Sequence, residues 1–294
     1  MQVFPDAARA FLLVLILSVT PSFSQSTARH QGSNVREAPI NIGKANKRPI
    51  APAEVAIREY EFLIKSKPND PVVLNNLGVN YFLAGRIFEA QSLIRKAVQR
   101  APDSTRIRVN LAVVLNKTYN PGLAIELLEA VLKQEPQLAR AREVLCDIYG
   151  QEERNAEAIT CFGILESSGE LEATEATIYG KILIEDKQID KGLAVLRQAD
   201  LKFPDDPGIK NGLGVAFFLK KKYETAETHL RRAVELEPNA AQLRYNLAMV
   251  QMMTNKRGAV LEQYKFLKTC DPELASQLYK LLFRNKVISA NPQR

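Results

Sequence analysis

The 294-residue chain contains no tryptophan, only two histidines (His30 and His229) and three cysteines, and its apolar runs are short. Each shortage excludes a class of function. Two isolated histidines cannot build a Ser/His/Asp arrangement or a histidine-based zinc site. Gly43-Lys44 lacks the preceding glycine-rich loop of a phosphate cradle, and the adjacent carboxylates Glu152 and Glu153 read as a solvated turn. No catalytic residue, metal ligand or cofactor is therefore expected. Cys146, Cys161 and Cys270 are an odd number, so they do not form a disulfide framework. The longest apolar run, Phe11 to Val19, falls well short of the ~20 residues that cross a bilayer. No stable membrane anchor is expected.

That apolar run is followed by Ser22-Phe23-Ser24 and Gln25, the layout of a secretory signal peptide over residues 1–24 with cleavage after Ser24. Asp6 offsets Arg9, so the leading segment is only weakly basic. No cysteine near the cleavage point offers an acylation site. An exported product, periplasmic or extracellular, follows as the expectation. The formal net charge of +7 hints at nucleic acid, but its distribution argues otherwise. Between Gln25 and Pro52 stand Arg29, Arg36, Lys44, Lys47 and Arg48 against Glu37 alone, and the tail adds Arg284, Lys286 and Arg294. The body between them is close to neutral, whereas a nucleic-acid partner requires basic charge on the folded part. Residues 25–52 show no helical or alternating periodicity and read as a flexible basic linker.

From Ala53 onward, apolar residues recur three and four apart, the spacing of amphipathic helices. Shifting the chain against itself by 34 residues aligns six units starting at Pro71, Thr105, Ala139, Ala173, Pro207 and Ala241 without an insertion. The seventh position reads Leu77, Leu111, Leu145, Tyr179, Leu213, Leu247. The eighth is small: Gly78, Ala112, Cys146, Gly180, Gly214, Ala248. So is most of the twentieth: Ala90, Ala124, Ala158, Gly192, Ala226, Val260. Large residues hold the twenty-fourth: Ile94, Leu128, Phe162, Leu196, Leu230, Tyr264. The thirty-second is Pro102, Pro136, Glu170, Pro204, Pro238, Pro272. Small residues let two helices approach closely, large ones fill the adjoining space, and proline forces the turn into the next unit.

These positions resemble the tetratricopeptide repeat family, most clearly in LGVNYFLAGRIFEAQSLIRKAVQRAP from Leu77 and LGVAFFLKKKYETAETHLRRAVELEP from Leu213. The chain departs from the pattern in lacking tryptophan at the fourth position and in carrying Glu170 and Val260. The resemblance implies an all-α fold, a right-handed α-solenoid of helix-turn-helix repeats closed by a C-terminal capping helix. The expected organisation is a half repeat over 53–70, carrying Ala56, Tyr60, Leu63 and Pro68, and then six repeats, 71–104, 105–138, 139–172, 173–206, 207–240 and 241–274. A capping helix and tail over 273–294 follow, with Leu274, Leu278, Leu281 and Leu282 on its apolar face.

The resemblance also implies a protein or peptide partner held in a concave groove lined by first helices, at positions two, five, six, nine, twelve and thirteen. Carried onto this chain, the candidates are Asn76, Val79, Phe82, Asn110, Val113, Asn116, Asp147, Lys181, Asn211, Val215, Phe218, Tyr245, Asn246, Met249 and Met252. Apolar side chains there would anchor a ligand, the pliable methionines would adapt to it, and the asparagines could bond an extended backbone. If the superhelix is tight, the same residues instead contact each other across repeats. A scaffold that joins larger machinery through its convex face or ends is the alternative function. The carboxylate-clamp arrangement of the family does not fit, because Asn75, Val79, Arg140 and Val144 stand at its positions and only Asn110 matches. Cys146 replaces a small residue and reads as a buried thiol. A bridge to Cys161 is conceivable in an oxidising compartment, although the twenty-third position is expected to point beside the helix contact. Asn116-Lys117-Thr118 is a glycosylation sequon.

Overall fold

A computed structural model describes residues 51–289 of the protein, with side chains described from Glu54 to Leu282. The expected signal peptide and all but the last two residues of the expected linker lie outside the described residues. Ala51 and Pro52, expected in that linker, already belong to the first helix. Among the described residues there are fourteen α-helices and no strand. Helix α1 spans Ala51–Ser66. Pairs then follow: α2 (Pro71–Leu83) with α3 (Ile87–Arg100), α4 (Thr105–Lys117) with α5 (Pro121–Gln134), and α6 (Ala139–Gln151) with α7 (Asn155–Ser168). The series continues with α8 (Ala173–Glu185) and α9 (Ile189–Lys202), α10 (Pro207–Leu219) and α11 (Tyr223–Leu236), and α12 (Ala241–Met253) and α13 (Arg257–Cys270). A final helix, α14 (Pro272–Ser289), runs beyond Phe283, where the sequence pattern fades.

The chain divides into two compact units between Glu170 and Leu171. In the first, α1 to α7 stack pairwise, and α2 touches α4 as α4 touches α6. In the second, α8 touches α10 and α10 touches α12, while α14 packs on both α12 and α13. Within each unit the first helices of neighbouring repeats thus meet directly and form an inner layer.

Helix starts are written locally. Asp70 accepts hydrogen bonds from the amides of Val72 and Val73 at 2.8 and 3.2 Å, and Asp206 from that of Ile209 at 2.8 Å. Pro71, Pro121 and Pro207 occupy the first helical turn, where no amide donor is needed. The first helix of every repeat ends with a residue in the left-handed region: Gly85, Tyr119, Glu153, Lys187, Lys221 and Asn255, at φ between 56° and 80°. Each stands at the fifteenth position and turns the chain so that the following amide bonds back to the eleventh, as in Arg86 to Tyr81 at 2.8 Å. Where Glu170 replaces proline, α7 is ended instead by Gly169, at φ 75°.

The small eighth position is where paired helices cross most closely. A Cβ placed on Gly78 would lie 2.5 Å from Ile94, on Gly180 2.6 Å from Leu196, and on Gly214 2.5 Å from Leu230. In each case the eighth residue lies under the twenty-fourth, and Ile94, Leu196 and Leu230 are fully buried. In the third repeat Cys146 occupies the eighth position and is bonded to Cys161, with Sγ–Sγ 2.12 Å and Cα–Cα 5.4 Å. The twenty-third position therefore faces the contact rather than pointing beside it. Cys161 lies three residues after the small Ala158, on the side of α7 that the close approach brings against α6.

Polar clasps join successive repeats. Glu227 on α11 is 4% exposed and accepts from Arg231 at 2.8 Å and from Lys256 of the next repeat at 2.7 Å. Burial pushes its pKa up, but the hydrogen bonds from Lys256 and Arg231 overcome that effect and leave it lowered.

Two expected outcomes test this packing. Gly214→Ala lowers stability by about 1–3 kcal/mol through overpacking against Leu230, whereas Gly258→Ala, with open space around its Cβ, is neutral or stabilising by up to about 1 kcal/mol. Urea unfolding of the two variants measures the difference, and equal midpoints would contradict the helix contact. Because the folded pKa of Glu227 is depressed, its stabilisation is present above the unfolded carboxylate value of about 4.3 and is lost as pH falls through the lowered value. Glu227→Gln is accordingly less stable than the parent near neutrality, and the gap closes on acidification. A gap constant with pH would exclude the charged clasp.

Candidate peptide-binding face

Nine of the fifteen candidate groove residues are buried: Asn76, Val79, Asn110, Val113, Val215, Phe218, Tyr245, Asn246 and Met249. They face the neighbouring helices of their own unit, not solvent, so the expectation of an open apolar line at the ninth position is corrected for Val79, Val113, Val215 and Met249. Phe218, at the twelfth position, is 5% exposed and lies 5.6 Å, ring to ring, from Tyr223. The physical reason is the direct approach of first helices within the inner layer, which consumes the sixth position of the first, second, third and sixth repeats and the ninth of the first, second, fifth and sixth.

The asparagines show this most clearly. Asn110 Nδ2 donates to Asn75 Oδ1 at 2.9 Å, Asn75 Nδ2 to Asn76 Oδ1 at 3.0 Å, and Asn76 Nδ2 to the Tyr60 hydroxyl at 3.2 Å. In the second unit Asn246 Nδ2 donates to Asn211 Oδ1 at 2.8 Å and accepts from Gln242 at 3.0 Å. In both units the fifth residue of one repeat meets the sixth of the next. The paired donor and acceptor of Asn serve the neighbouring repeat rather than a ligand backbone.

Six candidates remain partly accessible: Phe82, Asn116 and Asp147 in the first unit, and Lys181, Asn211 and Met252 in the second. The thirteenth position is accessible throughout, with Leu83, Lys117, Glu185, Leu219 and Met253 half-buried and Gln151 exposed. Position-specific candidates from the sequence omitted these residues. They are legible there as the last residues of each first helix before the turn. Asn116 Nδ2 donates to Gln151 Oε1 at 2.9 Å, again across one repeat. Lys181 pairs with Glu185 at 3.5 Å. Burial pushes the Lys117 ammonium pKa down, while the facing Asp147 carboxylate opposes that shift. The accessible inner face is thus mixed in each unit, with apolar Phe82 and Leu83 and the Asn116–Gln151 pair in the first, and apolar Leu219, Met252 and Met253 and the Lys181–Glu185 pair in the second.

The sequon is tied into the fold, because the Asn116 amide is engaged by Gln151 and the Thr118 hydroxyl bonds the carbonyls of Val114 and Leu115, both at 3.1 Å.

On the outer side, Tyr81 donates to Glu61 at 2.6 Å and Tyr149 to Glu129 at 2.8 Å, each hydroxyl reaching the preceding repeat. Arg86 and Arg154 stack over those two rings at 3.8 and 4.7 Å. Burial, reinforced by Glu129, pushes the Tyr149 phenol up to about 12. A cleft of about 770 Å³ adjoins the first of these clasps, lined by Phe62, Leu93, Leu77 and Tyr81. His229 is half-buried and stacks on Phe217 at 5.4 Å. Burial, then the nearby Lys210, pushes its pKa down, with Asp200 opposing. Among the described residues, no group of three or more His, Cys, Asp or Glu side chains could hold a metal ion, and no helix is long and apolar enough to cross a membrane.

Comparison with known proteins agrees with this geometry. The tetratricopeptide repeat family profile matches residues 180–241. Human protein O-mannosyl-transferase TMTC1 is 23% identical over 198 residues, covering 65% of this chain and 22% of that protein. Mouse BBSome complex member BBS4 is 24% identical over 230 residues, covering 78% of this chain and 44% of its own. The chain thus spans less than half the length of these two relatives. The solved APC/C hetero-tetramer Cut9–Hcn1 superposes with a TM-score of 0.65 at 16% identity, over 78% of this chain and 45% of that one. The 34-residue period, the paired helices and these likenesses together identify the chain as a tetratricopeptide-repeat protein, built on a fold that serves protein–protein interaction and is generally non-catalytic.

Proposed function

We propose that the protein is an exported, non-catalytic adaptor that holds a peptide or a partner's surface against the inner, first-helix face of its repeats. The observation carrying the reading is the contrast within that face. Positions six and nine are buried in four of the six repeats each, whereas position thirteen in every repeat, and position twelve outside the fourth and fifth, stay accessible and differ from repeat to repeat: Phe82, Asn116, Met252, Lys117, Leu219, Met253. Accessible, non-repeating side chains beside a rigid helical layer can encode specificity. Export is supported by the apolar run and small residues of the N-terminus and by the Cys146–Cys161 bridge, since disulfides persist in oxidising compartments. A scaffold reading has its own support in the outer cleft beside Phe62, which is 73% exposed, and in likeness to members of multi-subunit assemblies.

Binding is tested by Phe82→Lys and Met252→Lys. Both positions close a first helix, where a cation suits the helix dipole, so the fold tolerates the change. Capture of the partners that the parent chain retains from the exported fraction of its host falls by about tenfold or more, a loss of about 1.4 kcal/mol. The helical circular dichroism signal stays intact. The exposed outer change Glu224→Ala leaves capture unchanged. Val215→Glu and Phe218→Glu, by contrast, unfold the second unit, because those side chains are 6% and 5% exposed. Loss of capture by the outer change with silent inner changes would favour the scaffold.

Export is tested by intact mass of the native protein, which begins at or near Gln25, and by alkylation before reduction, which labels the exposed Cys270 and spares Cys146 and Cys161. Removing the bridge by the paired change Cys146→Ala and Cys161→Ala costs about 3 kcal/mol, from the loop of 15 residues that it closes. A native chain retaining residues 1–24, or three alkylatable thiols, would overturn export.

A further inference from the structure

On the outer side of the first unit, α1 and α3 both pack on α2, and the cleft of about 770 Å³ lies between them. Leu77 and Tyr81 of α2 are buried at its floor, and Leu93 lines the wall formed by α3. The opposite wall is α1, where Arg58, Phe62 and Lys65 follow at the i, i+4, i+7 spacing of a single stripe. Phe62 is 73% exposed on that stripe. It holds the twenty-sixth position, which in the complete repeats carries Lys96, Ala130, Ile164, Gln198, Arg232 and Phe266. Repeat packing therefore prescribes no aromatic ring there.

The charges around the cleft are unequal in their engagement. Both carboxylates that line it are used by the fold: Glu61 accepts from Tyr81 at 2.6 Å, and Glu89 from Arg86 at 3.0 Å. The two cations that line it, Arg58 and Lys65, have no hydrogen-bond or ion-pair partner among the described residues. They flank Phe62 on either side, about 10.5 Å apart along the helix axis. The cleft thus offers an apolar seat between two available positive charges.

That chemistry selects the occupant. The walls are helices whose backbone groups are spent internally, so an extended strand would find no main-chain partners, whereas a helical segment brings its own bonds complete. Both ends of this chain are basic in sequence, and like charge disfavours them as occupants. A second copy bound face to face would set Arg58 and Lys65 against their counterparts. We propose that the outer cleft of the first unit receives an acidic amphipathic helix of a partner protein. An apolar side chain of that helix packs on Phe62 and Leu93, and carboxylates a turn to either side pair with Arg58 and Lys65. This site lies away from the inner face proposed for the peptide partner and stands independently of it.

The probe is a phage-displayed library of helical peptides about four turns long, selected on the full chain and counter-selected on its Phe62→Lys variant. Enriched peptides carry apolar residues at i and i+4 flanked by Asp or Glu, and fluorescence anisotropy of a labelled member measures its affinity for the parent. Phe62→Lys weakens that affinity by about tenfold or more, and so does the paired reversal Arg58→Glu and Lys65→Glu. Exchanging the peptide's carboxylates for lysine restores binding to the reversed chain. All three residues are exposed, so the variants keep the helical circular dichroism signal. Phe82→Lys, on the inner face, leaves the probe bound, which separates this site from the inner one. Absence of enrichment over the counter-selection, enriched peptides without acidic bias, or an affinity indifferent to the charge reversal overturns the proposal. Self-association of the parent that Phe62→Lys abolishes would assign the cleft to a second copy and overturn it as well.

Discussion

Two helices can lie against each other at the distance seen in this chain only where one of them presents almost nothing. The eighth position of each repeat supplies that gap, and the twenty-fourth fills it. Gly78, Gly180 and Gly214 sit so close under Ile94, Leu196 and Leu230 that even a methyl group would have to displace its neighbour. Each pair closed in this way exposes an apolar face that only the next pair can cover, so burial runs along each unit instead of converging on one centre. In the third repeat the same contact carries a covalent bond. Cys146 provides the small side chain, and the close approach brings Cys161 within reach of it. The bridge is therefore a consequence of the packing rule and a reinforcement of it, placed in the repeat that ends without a proline.

Apolar contact is non-directional and cannot by itself fix which residue of one repeat meets which residue of the next. The polar clasps can. Asn75 with Asn110 and Asn211 with Asn246 are hydrogen-bonded across the same 35-residue separation, in separate units. Sliding one helix past its neighbour would leave buried amides without partners, a cost that the correct register avoids. Tyr81 with Glu61 and Tyr149 with Glu129 repeat the device on the other side of the first helices, each braced by an arginine stacked on the ring. Lys256 with Glu227 adds a charged version. The fold is thus held by close contact inside a repeat and by directional bonds between repeats.

The helical architecture was legible in the sequence because its cause is local and periodic. The small eighth residue, the large twenty-fourth and the closing proline each act within one unit and recur with it. The accessible face was less legible, because accessibility depends on how tightly adjacent repeats wind. Val79 and Val215 carry the same residue type whether the ninth position lines an open groove or is sealed by the next helix. Asparagine at the sixth position is equally ambiguous, since its amide serves a peptide backbone and a neighbouring Asn alike. The tightness shows only in the distances between first helices. The disulfide fell between these cases: both cysteines were identified, but the direction of the twenty-third position follows from the rotation of α7 about its axis, which the period alone does not specify. The exposed Tyr119 was missed because the period was read for what recurs, and an aromatic residue at the left-handed fifteenth position breaks the pattern.

That exception separates structural from functional positions in a repeat protein. Where a residue type recurs because packing demands it, its presence in one repeat carries no functional information beyond the fold. Where packing demands nothing, composition is free, and a side chain that makes the fold slightly worse is the most informative of all. The fifteenth position shows both regimes. Its left-handed backbone is required in every repeat to bring the second helix back against the first, so glycine would be the least strained residue throughout. Charged residues and Asn255 there keep the turn solvated and soluble. Tyr119 does neither: it accepts the backbone strain of the turn and also leaves an aromatic ring in water. The same logic applies to the first helices. The ends of the first helices, at Phe82 in the first unit and Met252 in the second, vary within the limits of a packed helix end, free of the rule that fixes the eighth position.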